Sequence, residues 1–345
     1  MNLSIVYALA AAALFGASTP LAKSLGLGLS PILLAGLLYL GNGIGLASVR
    51  LIRDRGWAPT GLTPSEWPWL LGAIAFGGIL GPVALMFGLT RTASATASLM
   101  LNLESVLTAV IAWVIFRENA DRRIVLGMLA IVLGGVVLSW TGAGGSNQDW
   151  TGPLAVALAC LCWGIDNNLT RKVSASDAVF IAAAKGLIAG LVNCSLALYL
   201  GAQIPGVAQL APILLVGFLG YGISLVMFVL ALRGLGSART GAYFSTAPFL
   251  GAAVALLGFG ESVTVAFWIA SALMAVGVWL HLTERHAHEH LHEATEHRHR
   301  HVHDEHQHEH GFEWDPQVPH SHVRVHGVMR HSHAHFPDVH HRHRH

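Results

Sequence analysis

Glu104 is the residue whose position in this sequence most strongly indicates chemistry. It lies near the middle of Ala93–Glu118, an otherwise largely apolar stretch. An ionised carboxylate in the centre of a bilayer costs at least about 2.5–3.5 kcal/mol on insertion scales. We therefore expect Glu104 to face a polar cavity or a partner, where it would bind an amine or carry a proton. The alternative is a structural acid that is hydrogen-bonded to Asn102, Ser105 or Thr108.

Asp166 and Lys185 form a second candidate group. Each lies in its own apolar stretch. Asp166 is about four residues before the end of one stretch and Lys185 about seven residues after the start of the next, which gives similar depths in two antiparallel helices. Because either charge alone would be stranded among apolar groups, we predict an ion pair between them. This pair is either structural or part of a ligand site.

Further polar residues inside apolar stretches are candidates for the same interior site. Each of them is, as a type, more often a hydrogen bond between packed helices than a ligand contact. The candidates for substrate binding or coupling, besides the three charged residues, are Asn42, Asn102, Tyr243 and Ser245.

The histidines form a third candidate group. All 22 of them lie between His281 and His345, where many alternate with other residues. In an extended chain alternate side chains share one side, so neighbouring imidazoles could chelate Zn²⁺, Ni²⁺, Cu²⁺ or Co²⁺. The alternatives are a low-complexity tail that binds metal incidentally and a pH sensor. The candidate metal ligands are His286, His288, His290, His292, His297, His299, His301, His303, His306, His308 and His310.

Membrane-spanning helices are the elements that must position Glu104, Asp166 and Lys185. Hydrophobic residues make up 53% of the chain and charged residues 11%, whereas roughly one quarter of a soluble domain is charged. A helix needs roughly 20 apolar residues to cross a bilayer. Ten stretches are long enough: about 3–22, 31–52, 67–90, 93–116, 123–140, 153–170, 178–199, 212–232, 240–260 and 264–282.

The basic residues predict the orientation of these stretches. With a cytoplasmic N-terminus, the external connections hold only Lys23 and Arg91. By the positive-inside rule we expect both termini in the cytoplasm and a bacterial-type inner (plasma) membrane location. The cytoplasmic connections would hold Arg50, Arg53, Arg55, Arg117, Arg122, Arg123, Arg171, Lys172, Arg233 and Arg239.

The chain contains an internal repeat. Gly236–Glu261 matches Ala93–Glu118 at a fixed interval, and the same interval pairs Gly134 with Gly277. Two halves of five spans each must enter the membrane in opposite orientations, because five is odd. Such an inverted repeat is the architecture in which two bundles rock about a central site. The predicted divisions are residues 1–140, residues 141–283 and a tail of residues 284–345.

Particular motifs carry a resemblance to a known family. Leu103-Glu104-Ser105-Val106 followed by Glu118, with Phe15-Gly16 and Trp163-Gly164 in the first helix of each half, resembles the EamA family of the drug/metabolite transporter superfamily. Ser105 stands where that family usually has Pro. The resemblance covers about residues 3–282. It implies a ten-span transporter that moves amino acids, other metabolites or drugs, usually outward.

The predicted fold class is an all-α polytopic membrane protein with ten transmembrane helices in a 5+5 inverted repeat and a disordered His-rich C-terminal tail. The predicted function is a secondary active transporter, not an enzyme, that exports a small metabolite by alternating access. The sequence has no Gly-x-x-x-x-Gly-Lys-Ser/Thr loop for ATP. The alternatives are a divalent metal exporter whose tail collects or senses the ion, and a metal-binding protein that the helices anchor.

The expected partners are a small-molecule substrate and the lipid bilayer, with a homodimer as an open alternative and no nucleic acid. No cofactor is required, although the tail could bind a divalent metal. Glu118 and Glu261 each stand at a helix junction. We expect each of them to favour the N-terminus of the helix that follows it.

Overall fold

The computed structural model describes residues 3–56, 60–116, 122–141, 150–173, 176–282, 286–292, 295–301, 320–326 and 329–335. The α-helices are α1 (Leu3–Leu25), α2 (Pro31–Arg53), α3 (Trp67–Ala73), α4 (Gly81–Leu89), α5 (Ser94–Met100), α6 (Leu103–Phe116), α7 (Arg122–Thr141), α8 (Thr151–Thr170), α9 (Ala178–Tyr199), α10 (Val207–Val216), α11 (Ser224–Phe244), α12 (Ala247–Phe259) and α13 (Val265–Leu282). A 3-10 turn, Arg171–Val173, follows α8.

The prediction of a polytopic helical membrane protein is confirmed. In the described part of the chain, seven helical segments are long and apolar enough to cross a membrane, and two apolar helices are shorter. The seven are Leu3–Leu25, Pro31–Arg53, Trp67–Leu89, Ser94–Ile115, Arg122–Trp140, Ala178–Tyr199 and Val207–Ala231. The outer surface is apolar as well, since Leu257 is 88% exposed and Ile115 is 68% exposed. Such side chains suit contact with lipid.

The break that was expected between the membrane-spanning stretches 212–232 and 240–260 is wrong. α11 runs without interruption from Ser224 to Phe244. This stretch has no proline to end the helix, and its three glycines do not interrupt it. The helix is interrupted only at Ser245–Thr246, shortly before Pro248 at the start of α12.

Two π-helical segments occupy corresponding positions in the two halves. Ile74–Leu80 separates α3 from α4, and Gly217–Ile223 separates α10 from α11. The interval between them is the one that separates Gly134 from Gly277. π-Helical turns inside α-helices are frequently found at functional sites. They are therefore a repeated local feature that an apolar pattern does not reveal.

The packing of α7 on α13 is reciprocal. A Cβ atom on Gly134 would lie 2.7 Å from Met274 Cγ, and one on Gly277 would lie 2.6 Å from Ile131 Cγ1. Gly134 and Gly277 are separated by the repeat interval, and so are Ile131 and Met274. Each contact is therefore the repeat counterpart of the other. The partner number falls as the first number rises, so the two helices are antiparallel.

The contacts of α1 and α8 correspond in the same way. A Cβ atom on Gly16 would lie 3.0 Å from the amide nitrogen of Gly251, and one on Gly164 would lie 3.1 Å from that of Thr108. Gly16 and Gly164 are the glycines that follow Phe15 and Trp163. Each helix therefore packs its glycine against an interrupted helix of the other half, α12 or α6, where a larger side chain would not fit.

The described parts of the tail form four strands: β1 (His286–His292), β2 (Thr295–His301), β3 (His320–His326) and β4 (Met329–His335). β1 pairs with β4 and β2 with β3, both antiparallel. In these segments His alternates with other residues, and a period of two is the period of a β-strand.

Candidate functional site

Glu104 lies directly after an interruption between two helices. α5 ends at Met100 and α6 begins at Leu103, so Glu104 lies in the first turn of α6. This side chain is half-buried. A carboxylate in the first turn is stabilised by the helix dipole. The interruption thus provides a polar position inside an otherwise apolar segment.

Asn167 on α8 is the hydrogen-bond partner of Glu104. Its Nδ2 donates to Glu104 Oε1 at 2.8 Å and lies 3.3 Å from Thr108 Oγ1. The predicted structural alternative, in which Glu104 bonds Asn102, Ser105 or Thr108, has no support in the described bonds, because Ser105 donates to the Asn102 carbonyl instead, at 2.7 Å. Glu104 therefore connects α6 to α8.

No Lys, Arg or His among the described residues forms an ion pair with Glu104. The described ion pairs involve Asp54, Asp166, Asp177 and Glu261. One neutral amide therefore accompanies a carboxylate in the interior of the bundle. A cationic ligand or a proton would compensate that charge.

The predicted ion pair between Asp166 and Lys185 is confirmed. Lys185 Nζ lies 2.6 Å from each carboxylate oxygen of Asp166. Thr170 Oγ1 donates to Asp166 at 2.8 Å and accepts from Lys185 at 3.3 Å. The two charged side chains are 9% and 11% exposed. The pair joins α8 to α9, and its positive and negative charges neutralise each other.

Asp166 also lies against the first π-helical segment, Ile74–Leu80. A Cβ atom on Gly77 would overlap the Asp166 carboxylate, so a glycine is required there. The Gly77 carbonyl accepts from Tyr39 Oη at 2.7 Å and from Trp163 Nε1 at 3.0 Å. Since a π-helical turn disturbs the regular bonding of the helix, these donors from α2 and α8 satisfy that carbonyl.

Aromatic rings from both halves meet near this region. Phe15 packs against Trp163, Tyr221 and Phe244, with ring centroids 6.3, 6.0 and 5.5 Å away. Tyr39 lies 5.5 Å from Tyr221. Aromatic faces are favourable surroundings for cations and for other rings. The interior of the bundle therefore combines the Glu104 carboxylate with a cluster of aromatic side chains.

The other predicted site residues are distributed over the bundle. Asn102 is buried and donates to the Leu99 carbonyl at 3.0 Å, and its Nδ2 lies 3.8 Å from Met274 Sδ. Asn42 donates to the Ala182 carbonyl at 3.4 Å, and its Oδ1 is buried without a partner in the described part of the chain. In the described part of the chain, neither of these two amides is hydrogen-bonded to Glu104.

Tyr243 and Ser245 lie at the interruption between α11 and α12. Both are half-buried. By the repeat interval, this interruption corresponds to the one before Glu104. The residue that corresponds to Glu104 is Ala247, so the acid is missing from the second half. Asn167, Tyr39 and Trp163 were not among the predicted site residues, and the only available signal for Asn167 was its position next to Asp166.

Glu261 has a different partner from the one predicted. Its carboxylate accepts from the backbone N–H groups of Ser94 at 3.0 Å and Ala95 at 2.9 Å. Lys23 Nζ lies 4.0 Å away and donates to the Thr92 carbonyl at 2.7 Å. Glu261 therefore caps α5 of the other half rather than the α13 that follows it. Glu118, its counterpart, lies outside the described residues.

A second charged network lies at the far end of α2. Asp177 caps α9 by accepting from the Val179 N–H at 2.9 Å. Its carboxylate also accepts from Arg50 at 3.2 Å and from Arg53 at 2.5 Å. Burial raises the pKa of Asp177, but these hydrogen bonds and the charge of Arg53 outweigh burial, and the pKa is lowered overall. Since α1 and α2 are consecutive helices, the Glu261 and Asp177 networks lie at opposite ends of the bundle.

Replacing Glu261 by Gln should destabilise the chain in a pH-dependent manner. Burial raises the pKa of Glu261, but the bonds from Ala95 and Ser94 outweigh burial, so the folded pKa lies below the ordinary 4.5. The stabilisation is then present above about pH 4.5 and is lost as the pH falls through the folded pKa. We expect Glu261→Gln to cost about 0.5–1 kcal/mol at pH 7, measured by thermal unfolding in detergent at several pH values. Equal unfolding of both chains at pH 7 would contradict the capping role, and convergence at acid pH is the internal control.

Some of the predicted metal ligands of the tail lie on described strands, and the others lie outside the described residues. Those between His286 and His301 lie on β1 and β2, whereas His303, His306, His308 and His310 lie outside the described residues. In the part of the chain whose side chains are described, there is no group of three His, Cys, Asp or Glu that could hold an ion. The helical bundle thus supplies no candidate metal centre within its described residues.

The described helices place the chain in the class of polytopic helical membrane proteins. The chain matches the model of the EamA-like transporter family over residues 2–140 and again over residues 150–283, and it belongs to that family. The family is the one that the motifs around Glu104 and Trp163 resemble, so that prediction is confirmed.

Three similar proteins illustrate the relationship. An "Uncharacterized transporter" of Methanothermobacter thermautotrophicus is 26% identical over 281 residues, which are 77% of this chain and 82% of that protein. A "Probable 4-amino-4-deoxy-L-arabinose-phosphoundecaprenol flippase subunit ArnE" of Pseudomonas aeruginosa is 36% identical over 110 residues, 32% of this chain and 91% of that subunit. One crystal structure matches with a TM-score of 0.61 and 20% identity, covering 80% of this chain and 94% of that one, which shows the fold alone.

Proposed function

We propose that the chain is a secondary active transporter that exports a small, amine-bearing metabolite, such as an amino acid or a drug-like amine. The observation that carries this proposal is the Glu104 carboxylate. It lies inside the bundle at a helix interruption, with Asn167 as its hydrogen-bond partner and no ion-pair partner among the described residues. A substrate ammonium would supply the missing positive charge.

The surroundings of Glu104 favour an amine over an anion. Asp166 adds a second negative group, and Lys185 compensates it. The aromatic rings of Phe15, Trp163 and Tyr221 suit a cation or an apolar substrate body. The name of the similar flippase subunit refers to an amino sugar, so that relative is associated with an amine-bearing substrate.

Alternating access is the mechanism that the architecture supports best. We propose ten spans in a 5+5 inverted repeat, divided as residues 1–140 and 141–283. The corresponding π-helical segments and the reciprocal contacts of Gly134 and Gly277 support this division. In such a repeat the two halves rock about a central site, and each end opens in turn. The Glu261 and Asp177 networks are suited to hold the opposite ends closed.

The orientation is part of the same proposal. The excess of Arg and Lys in one set of connections supports cytoplasmic termini and a bacterial-type inner membrane location. Export from the cytoplasm then means loading at the end that carries Arg50 and Arg53. Both halves of the repeat lie in one chain, so transport needs no second copy, and a homodimer stays a prediction.

Metal binding is proposed for the tail and not for the transport path. Alternating imidazoles suit Zn²⁺ or Ni²⁺. We propose that transport itself requires no cofactor. The alternative of a divalent metal exporter has no metal-ligand group in the described bundle to support it.

Flux measurements in everted membrane vesicles test this function. We expect vesicles with the full chain to accumulate one or more amine-bearing metabolites and not Ni²⁺ or Co²⁺, and we expect a chain that lacks residues 286–345 to do the same. Accumulation of Ni²⁺ or Co²⁺ that disappears with the tail would overturn the proposal in favour of a metal exporter. Vesicles from cells without the chain are the control.

A further inference from the structure

The two sides of the interior have similar architecture but different charge. By the repeat interval, Glu104 in the first turn of α6 corresponds to Ala247 at the start of α12. Both positions follow a helix interruption. Gly16 of α1 packs on Ala247, and Gly164 of α8 packs on Thr108, one turn after Glu104. The interior therefore has an anionic side at Glu104 and a side at Ala247 where the acid is missing.

Aromatic rings lie on the Ala247 side. Phe244 precedes Ala247 by three residues, and its ring centroid lies 5.5 Å from that of Phe15 and 4.8 Å from that of Phe228. These three rings are half-buried, so each keeps some exposed surface. Aromatic rings favour contact with other rings in offset or edge-to-face arrangements. This side of the interior therefore suits an aromatic group of a ligand.

About one helical turn separates these rings from the carboxylate. Phe15 packs on Trp163, with ring centroids 6.3 Å apart. Trp163 and Asn167 are four residues apart on α8, so they share a face and lie about 6 Å apart along the helix axis. Asn167 is hydrogen-bonded to Glu104 at 2.8 Å. A ligand that reaches both sides therefore needs a cationic head and a ring that are joined by a short linker.

The described charges near Glu104 disfavour a carboxylate on the same ligand. In an α-amino acid the ammonium and the carboxylate are attached to one carbon atom. An ammonium at Glu104 therefore brings the ligand carboxylate next to the Glu104 carboxylate, where like charges repel each other. Lys185 already pairs with both oxygens of Asp166, at 2.6 Å each. An amine without a carboxylate avoids this repulsion.

The amide donors beside Glu104 are also engaged. Asn168 Nδ2 donates to the Gly164 carbonyl at 2.8 Å and to the Thr108 carbonyl at 3.2 Å. Asn167 Nδ2 donates to Glu104 at 2.8 Å and lies 3.3 Å from Thr108 Oγ1. A ligand carboxylate would have to displace one of these bonds in order to be satisfied, whereas an ammonium brings its own donors to the Glu104 carboxylate.

We propose that the site selects arylalkylamines, such as phenethylamine, over the aromatic amino acids that differ from them by a carboxylate. The ammonium pairs with Glu104, and the ring lies against Phe15 and Phe244. This inference rests on the proposed function, whose substrate it narrows to cationic amines that carry an aromatic ring.

Equilibrium binding to the purified full-length chain in detergent tests this selectivity, with radiolabelled phenethylamine, phenylalanine and hexylamine as probes. Phenethylamine is expected to bind about tenfold or more tightly than phenylalanine, because its binding places no carboxylate next to Glu104. Phe15→Leu should weaken phenethylamine binding about threefold or more, because it removes an aromatic contact. Hexylamine has the charge without the ring, so its binding should change little and also reports that the variant is folded.

Phe259→Leu is the matched control, since this ring lies at the far end of α12 and is 45% exposed. It should bind all three probes as the wild type does. Phenylalanine binding as tight as that of phenethylamine would overturn the inference and leave the amine-bearing substrate of the proposed function in place. Equal weakening of phenethylamine and hexylamine by Phe15→Leu would overturn the ring contact.

Glu104→Gln separates the inference from the proposed function. We expect this variant to lose most of its affinity for both phenethylamine and hexylamine, because both bind through their ammonium group. Unchanged binding of every probe by Glu104→Gln would overturn the proposed function together with the inference. Absence of phenethylamine binding by the wild-type chain would overturn the inference, whereas the flux of other amines in the vesicle experiment tests the proposed function separately.

Discussion

Lys185→Met is expected to lower the free energy of unfolding by about 3–5 kcal/mol, because it leaves the Asp166 carboxylate buried without a counter-charge. In the wild type, Lys185 Nζ lies 2.6 Å from both oxygens of Asp166, and Thr170 completes the group. Since the pair connects α8 to α9, its loss should also loosen the contact of Asp166 with Gly77. Thermal and denaturant unfolding in detergent measures the effect.

A double variant separates a structural pair from a transport role. Lys185→Met combined with Asp166→Asn removes both charges and should recover most of the lost stability, because replacing a buried pair entirely is often close to neutral. Lys23→Met is the matched control, since this lysine is 32% exposed and lies 4.0 Å from Glu261, and such a pair contributes about 0–1 kcal/mol. Wild-type stability of Lys185→Met would show that the ion pair does not hold α8 and α9 together.

Glu104→Gln is expected to reduce transport of an amine-bearing substrate by about 30-fold or more, since it removes the charge that would pair with the ammonium. The amide is nearly isosteric and its oxygen can still accept from Asn167 Nδ2. Folding and expression should therefore stay close to those of the wild type. Initial rates of uptake into everted vesicles, normalised to the amount of chain, give the measurement.

The matched control for this variant is Glu66→Gln. Glu66 accepts from the Thr63 N–H at 2.6 Å, in the connection that precedes α3, and its change should leave the flux unaltered. Full flux by Glu104→Gln with normal expression would remove Glu104 from the substrate site and would leave it as a structural acid.

The charged residues illustrate how much of the site can be predicted from the sequence. The Asp166–Lys185 pair is predictable, because the depth of each residue follows from its distance to a helix end. The partner of Glu104 is not predictable in this way. Asn167 reaches it because of the rotation of α8 about its axis, and no pattern within one helix determines that rotation.

Glu261 shows the limit of local reasoning about helix ends. An acid before an apolar helix usually favours the N-terminus of that helix, yet Glu261 accepts from Ser94 and Ala95 of the other half. The inverted packing of the halves brings these distant segments together. The π-helical segments are likewise not apparent in an apolar pattern, although the repeat explains why there is one in each half.

The tail shows the opposite case. Composition alone suggests a segment without regular structure, whereas the alternation of histidine carries the period of a strand. The pairing of β1 with β4 depends on residues that are far apart in the sequence. The extended character of the tail could thus be predicted from its spacing, but its register could not.

Carbodiimide labelling of Glu104 tests most directly whether this carboxyl group contacts the substrate. A hydrophobic carbodiimide modifies carboxyl groups inside the bundle, and mass spectrometry of the purified full-length chain quantifies the product at Glu104. We predict that a transported amine protects Glu104 from modification in a concentration-dependent manner, and that the deaminated analogue of the same compound does not. Modification of Glu104 that is unchanged by every transported compound would contradict its role in binding the substrate.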